Sequence, residues 1–169
     1  QSAARRSLSQ RLVMLRIVEF RDELAPLFHD INAEWISTMF EMEEVDRHVL
    51  QHPRATIIDN GGDILFVEVE GKGIVGAGAL KWSEPGQLEL TKMGVRPDLR
   101  GLKAGEFLLN ALIERAQGMQ PERLYLLTNK KCEAAIHLYA KSGFEHDAEL
   151  LAEAQHHYAR CDVAMTYRR

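Results

Sequence analysis

Apolar positions along the chain fall into two alternating rhythms, one of period two and one of period 3.6. Residues 12–20 are rich in β-branched and apolar side chains and predict a strand. Asp22 then offers a helix cap and Pro26 is tolerated in a first turn. Leu24, Leu27, Phe28, Ile31, Trp35 and Met39 keep the helical period, which predicts one long amphipathic helix to about residue 40 and a shorter one at 43–51. Pro53 ends that segment, residues 55–58 lead into an Asp-Asn-Gly-Gly turn at 59–62, and strands follow at 64–69, 74–82 and 88–95. The short turns at 70–73 and 83–86 make these three an antiparallel meander.

After Pro97 the order changes. Phe107, Leu108, Ala111, Leu112 and Ala116 recur at three- and four-residue steps, predicting a helix over 103–117. A strand at 123–128, a helix at 131–142 and two closing strands, near 144–151 and 157–167, complete the chain. The strand–helix–strand unit from 88 to 128 requires a right-handed crossover and therefore one parallel pair. The expected fold is α/β of the mixed α+β kind: a mostly antiparallel sheet with a parallel central strand pair, flanked by helices on both faces. With 169 residues and no linker or repeat, the chain reads as a flexible segment at 1–11 and a single domain at 12–169.

Composition narrows the function classes. A formal charge of −4 and a pI near 6.0 argue against a general nucleic-acid surface. No apolar run approaches the ~20 residues of a membrane helix, so no membrane partner is expected. Cys132 and Cys161 lie far apart and match no metal spacing, and they read as reduced thiols of a cytoplasmic protein. The seven His include no His-Glu-x-x-His pattern, and no metal is expected. The acidic run at 41–46 reads as a solvated helix face.

Candidate chemistry concentrates at 88–105, a strand, a turn and a helix start. Free N–H groups and the positive dipole end at a helix start favour an anion, and Gly101, Gly105, Arg100 and Lys103 would suit a phosphate there. A plain turn with solvated cations accounts for the same residues.

The two segments Val-Arg-Pro-Asp-Leu-Arg-Gly-Leu-Lys-Ala-Gly, 95–105, and Thr-Asn-Lys-Lys-Cys-Glu-Ala-Ala-Ile-His-Leu-Tyr-Ala-Lys-Ser-Gly-Phe, 128–144, stand in the order and separation of the motifs of the GNAT (GCN5-related N-acetyltransferase) family. With the meander before them and two strands after, the chain resembles a bacterial-type single-domain member over nearly all its length. The resemblance implies an N-acetyltransferase that moves an acetyl group from acetyl-CoA to a primary amine by direct attack. A catalytically inactive acyl-CoA-binding sensor is the alternative.

By the same resemblance, CoA would lie where strands 88–95 and 123–128 splay apart. Met93 and Val95 would contact the pantetheine, with Gly94 marking a bulge that exposes an oxyanion donor. Arg100, Gly101, Leu102, Lys103, Ala104 and Gly105 would hold the pyrophosphate, and Asn129 would sit near the pantetheine. Lys103 stands where the family's phosphate loop usually has glycine. A helical φ would tolerate its Cβ and bring its ammonium to the phosphates, whereas a positive φ would distort the loop. Glu89 is the candidate general base, or else a solvated strand residue. Tyr139 is the candidate acid for the leaving thiolate, or else a core aromatic. Asn32, Trp35 and Glu41 are candidate acceptor-side residues, and an acidic wall there would suit a cationic small-molecule or peptide amine. A homodimer through the terminal strands is a further expectation from the family.

Overall fold

Strands that must be buried on both faces carry unbroken apolar runs, and the middle of this chain is built that way. In the computed structural model, which describes residues 14–98, 103–154 and 159–168, Ile64, Leu65, Phe66 and Val67 are all fully buried although successive side chains point to opposite faces. The elements in order are β1 (Leu15–Glu19), a 3₁₀ turn (Asp22–Leu24), α1 (Ala25–Met39), α2 (Glu44–Gln51), a π-helical turn (Arg54–Ile58), β2 (Asp63–Val69), β3 (Gly73–Glu84) and β4 (Gln87–Val95). Then come α3 (Ala104–Gly118), β5 (Arg123–Thr128), α4 (Glu133–Lys141), β6 (Phe144–His146), α5 (Ala148–Ala154) and β7 (Val163–Tyr167).

The seven strands form one sheet in the order β1-β2-β3-β4-β5-β7-β6. Every neighbouring pair is antiparallel except β4 and β5. Leu65, Val67, Leu80, Leu88 and Leu90 pack on one face against Leu108, Leu109 and Leu112 of α3. Ile64, Phe66, Ala77 and Ala79 pack on the other against Phe28, Ile31 and Ile36 of α1. A small third cluster, Tyr125, Leu150 and Ala164, lies under α5 on that second face.

Two expectations give way, both in the closing strands: the one expected over 157–167 begins only at Val163, and the one before it is cut short. The strand expected over 144–151 stops at His146 and α5 replaces its second half. Asp147 causes the change: its Oδ1 accepts the Leu150 N–H at 3.0 Å, an N-cap, while its Oδ2 accepts the Thr166 hydroxyl at 2.9 Å. Leu150 and Leu151, apolar and adjacent, therefore face Tyr125 and Ala164 from a helix and not from a strand. The stretch 55–58 belongs to a π-helical turn closed by the Asp59 N–H on the Arg54 carbonyl at 2.8 Å. Residues 12 and 13 of the expected first strand lie outside the described residues. Among the described residues no helix is long and apolar enough to cross a membrane.

What positions the site is the short reach of the parallel pair. β4 and β5 are paired only from Gln87–Arg123 to Leu90–Leu126, yet β4 runs on to Val95 and β5 to Thr128. On its other side β4 carries a bulge, for Ala77 pairs Gly94 and Ala79 pairs Thr91, so that Gly78 faces both Lys92 and Met93. Lys92 takes a left-handed conformation there, φ +51°. A bulge increases local twist and bends its strand, which leads β4 away from β5 beyond Leu90.

Candidate active site

Where β4 and β5 part, two cavities meet. The larger, about 500 Å³, opens beside the start of α3 and α4 and includes Met93, Gly94, Val95, Lys103 and Gly105 in its lining. The smaller, about 60 Å³, lies toward the α1–α2 face and includes Glu89, Lys92, Asn129, Arg160 and Cys161. Trp35, Met93, Thr128, Cys132 and Tyr139 line both, so the junction between the cavities is built from these five residues.

The residues singled out from sequence distribute as follows. Met93, Gly94, Val95, Lys103 and Gly105 line the larger cleft, and Ala104 is buried behind it. Arg100, Gly101 and Leu102 lie outside the described residues. Glu89 is 7 % exposed and lines the smaller cavity, on the face of β4 opposite the core residues Leu88 and Leu90. Its charge, after burial, pushes the neighbouring Tyr125 hydroxyl up to about 12. Burial, then the charge of Cys132, also raises the Tyr139 hydroxyl well above the usual phenol range, so Tyr139 keeps its proton. Among the described residues that hydroxyl makes no hydrogen bond.

Other placements differ from the expectations. The bulge belongs to Lys92 and Met93, and Gly94 serves a different purpose: a Cβ there would overlap the Trp35 indole. Asn129 lines the smaller cavity, and its amide is spent on the main chain, Nδ2 donating to the Arg160 carbonyl at 2.6 Å and Oδ1 accepting the Lys131 N–H at 2.9 Å. Asn32 is fully buried, donating to the Phe28 carbonyl at 3.0 Å and accepting the Trp35 Nε1–H at 2.9 Å. Glu41 is exposed and lines neither cavity. Lys103 adopts φ +60°, ψ +20° immediately before α3, so this position has the left-handed backbone that glycine accepts most readily.

The acidic run at 41–46 is a solvated face only in part: Glu41 and Glu44 are exposed, but its last member is not. Asp46 is fully buried and holds two cations that line the smaller cavity. Lys92 Nζ donates to Asp46 Oδ1 at 3.0 Å, and Arg160 Nη1 and Nη2 donate to Asp46 Oδ2 and Oδ1 at 2.6 and 2.7 Å. Arg160 Nη1 also reaches Glu43 Oε2 at 2.9 Å, and the Glu43 N–H donates to Asp46 Oδ2 at 3.0 Å in a capping box at the start of α2. The Arg160 guanidinium stands over the Phe40 ring, 5.6 Å from its centroid. Burial pushes the Asp46 carboxyl up, but the hydrogen bonds from Arg160, the charge and hydrogen bond of Lys92, and the Glu43 amide outweigh it and hold the group down at about 2.

Asp46, Lys92 and Arg160 escape a reading of sequence because their partners lie 46 and 114 residues apart. The Glu43-x-x-Asp46 spacing of a capping box was the one local signal. Cys161 is buried at the smaller cavity, its thiol pushed up to about 12 by burial, with Arg160 opposing and Glu89 adding to the rise. It stays a thiol. Among the described residues no group of three or more His, Cys, Asp or Glu is placed to hold a metal ion.

Comparison with known proteins adds the following. The sequence model of the acetyltransferase (GNAT) family matches residues 24–144. An amino-acid acetyltransferase of Mannheimia succiniciproducens is 26% identical over 85% of this chain and 30% of its own length. An uncharacterized N-acetyltransferase of Escherichia coli is 37% identical over 59% of each chain. The chain thus spans less than two thirds of either curated relative. A GNAT-family acetyltransferase from Staphylococcus aureus shares the fold at TM-score 0.80 and 19% identity, covering 91% of this chain and 98% of that one. A Salmonella typhimurium acetyltransferase structure determined with its cofactor acetyl-CoA gives TM-score 0.66 at 21% identity, covering 80% of this chain and 82% of that one.

Two measurements test this geometry. Asp46→Asn leaves Lys92 and Arg160 short of a buried counter-charge and is expected to lower unfolding free energy by about 3 kcal/mol near neutral pH in urea titrations. Because the Asp46 carboxyl lies at about 2 in the fold against an ordinary 3.8, its stabilisation is present above about pH 4 and is lost as pH falls toward 2. That contribution is about 2 kcal/mol, and Asp46→Asn should flatten this part of the acid limb. Lys103→Gly relieves the left-handed backbone and is expected to raise stability by about 1 kcal/mol in the same assay. It should weaken acetyl-CoA by up to about fivefold and reduce the salt dependence of binding, read by isothermal titration.

Proposed function

We propose that this chain, which belongs to the acetyltransferase (GNAT) family, transfers an acetyl group from acetyl-CoA to a primary amine by direct attack. One observation carries the proposal: a donor-sized cleft made by the parting of β4 and β5 meets, at Trp35 and Tyr139, a second pocket that holds Glu89. The cleft suits a thioester donor. It is lined by strand backbone around Gly94, by the start of α3 at Lys103 and Gly105, and by apolar side chains of α4 such as Leu138. An extended pantetheine can run along the unpaired edge of β4 as an added strand would.

An alkyl amine has a reference pKa of ~10.4 and must lose a proton to attack. Glu89 accepts that proton. It stands four residues before Met93, and with the bulge between them this is about three extended residues of advance, roughly 10 Å, so the transfer runs through water. The amine nitrogen bonds to the thioester carbon, main-chain N–H groups at the Lys92–Met93 bulge bear the charge that grows on the carbonyl oxygen, and the carbon–sulfur bond breaks. Tyr139, kept protonated by its burial, donates a hydrogen bond to the departing thiolate and keeps its proton, so that CoA leaves as the thiolate and is protonated by solvent. Cys161, also kept protonated, carries no acyl group.

Glu43 and Asp46 face inward onto Arg160 and Lys92 and form no acidic wall toward an acceptor. The acceptor is therefore an amine chosen by the shape of a small pocket and by Glu89, and both small-molecule and peptide amines belong in the test.

Titration calorimetry with acetyl-CoA, followed by thiol release over a panel of amino acids, polyamines, amino sugars and peptides, tests the reading. Binding with amine-dependent thiol release is expected. Binding without release for any amine would overturn transfer in favour of an acyl-CoA sensor. For an active acceptor, Glu89→Gln should lower kcat by about a hundredfold or more and remove the acid limb of the pH–rate profile. Tyr139→Phe should lower kcat by about tenfold with little change in the dissociation constant of acetyl-CoA.

A further inference from the structure

The junction between the two cavities is where an acyl group on the donor sulfur would end, and Trp35 occupies that junction. We infer that Trp35 limits the length of the acyl chain the donor site accepts. The inference rests on the acetyl-CoA reading above and concerns the same site.

Three observations carry it. Trp35 lines both cavities together with Tyr139, the residue assigned to the sulfur, and with Met93 of the bulge. Its ring is also fixed from two sides. The indole Nε1–H donates to Asn32 Oδ1 at 2.9 Å, and Asn32 is itself held, fully buried, on the Phe28 carbonyl one turn earlier in α1. On the other side the indole lies directly on Gly94 of β4, with no room for a single added carbon between them. A side chain so held forms a wall, since moving it breaks a half-buried hydrogen bond and opens a gap against the strand.

The space beyond that wall completes the argument. An acetyl group ends at the junction, whereas a longer chain has two directions left. It can push against the indole, or it can turn into the smaller cavity of about 60 Å³, which the amine must enter. Either route penalises a long acyl group, the first in binding and the second in turnover. Asn32 is then a positioning residue for Trp35, which accounts for a fully buried amide in the middle of an otherwise apolar helix face.

The test compares acetyl-, butyryl- and hexanoyl-CoA by titration calorimetry on the wild type, Trp35→Ala and Trp35→Phe, so that its first readout needs no acceptor. The wild type is expected to bind hexanoyl-CoA at least about tenfold more weakly than acetyl-CoA, the penalty of forcing methylenes into a packed site. Trp35→Ala should bring the two within about twofold by tightening hexanoyl-CoA, and Trp35→Phe should fall between. Equal affinities in the wild type, or a Trp35→Ala variant that weakens all three donors alike, would overturn the inference, because loss without a change in selectivity is what a purely structural indole gives. If acetyl-CoA binds and is transferred while selectivity stays flat, the inference alone fails. If the wild type binds no acyl-CoA at all, the acetyl-transfer reading fails and this inference with it.

Discussion

A carboxylate buried without partners would be neutral or would not be buried, and Asp46 is neither. Its burial is possible only because Lys92, Arg160 and the Glu43 main chain deliver hydrogen bonds to both oxygens. Those partners come from the bulge of β4, from the segment just before β7 and from the cap of α2. The requirement to satisfy one buried charge therefore fixes three segments distant in sequence relative to one another. Two of them carry walls of the smaller cavity. Asn129 extends the arrangement by pinning the Arg160 carbonyl to the end of β5. The cost of burying the charge is offset locally, and the product is a defined pocket shape more than a gain in stability.

The second constraint is topological. A strand placed between an antiparallel neighbour and a parallel one cannot remain paired to both if it bends, and the bulge at Lys92 and Met93 bends β4. Pairing with β3 resumes after the bulge at Gly94 and Val95, whereas pairing with β5 ends at Leu90. The cleft is the consequence. A left-handed lysine at the bulge is strained on its own account, and its ammonium is held by Asp46. The ion pair and the cleft are thus parts of one arrangement, the first keeping the backbone in the conformation that produces the second.

Most of the sheet was legible from the chain because its information is local. Alternation and turn residues located β2, β3, β4 and β5 to within one or two residues, and the crossover rule supplied the parallel pair. The end of the chain was read less well, since Leu150 and Leu151 suit a strand or a short helix equally and only the Asp147 cap decides between them. The family motifs directed attention to β4, the start of α3 and Tyr139, all of which line the cavities. Asp46 was misread because a surface-helix pattern shows charge but not the cation that meets it from 114 residues away. Gly94 was connected with a bulge when its actual use is to let an indole approach, a distinction that depends on a side chain from another element.

β4 finally shows why the larger and the smaller cavity cannot be altered independently. Leu88, Leu90, Met93 and Val95 face α3 and belong to or pack on the main core, and the last two also border the larger cleft. Glu89, Lys92 and Gly94 face the α1–α2 side, where they supply the pocket carboxylate, the partner of Asp46 and the seat of Trp35. In a regular strand, alternation alone would keep this division, and a one-residue slip would exchange every role. The bulge inserts one residue between Thr91 and Gly94, so Glu89 and Gly94 share a face although five positions separate them. If the same residues ran as a regular strand with no bulge, Gly94 would turn toward α3, and Trp35 would meet a side chain where it now meets backbone. The bulge therefore does two things at once: it opens the larger cleft and sets the face on which the smaller cavity is built.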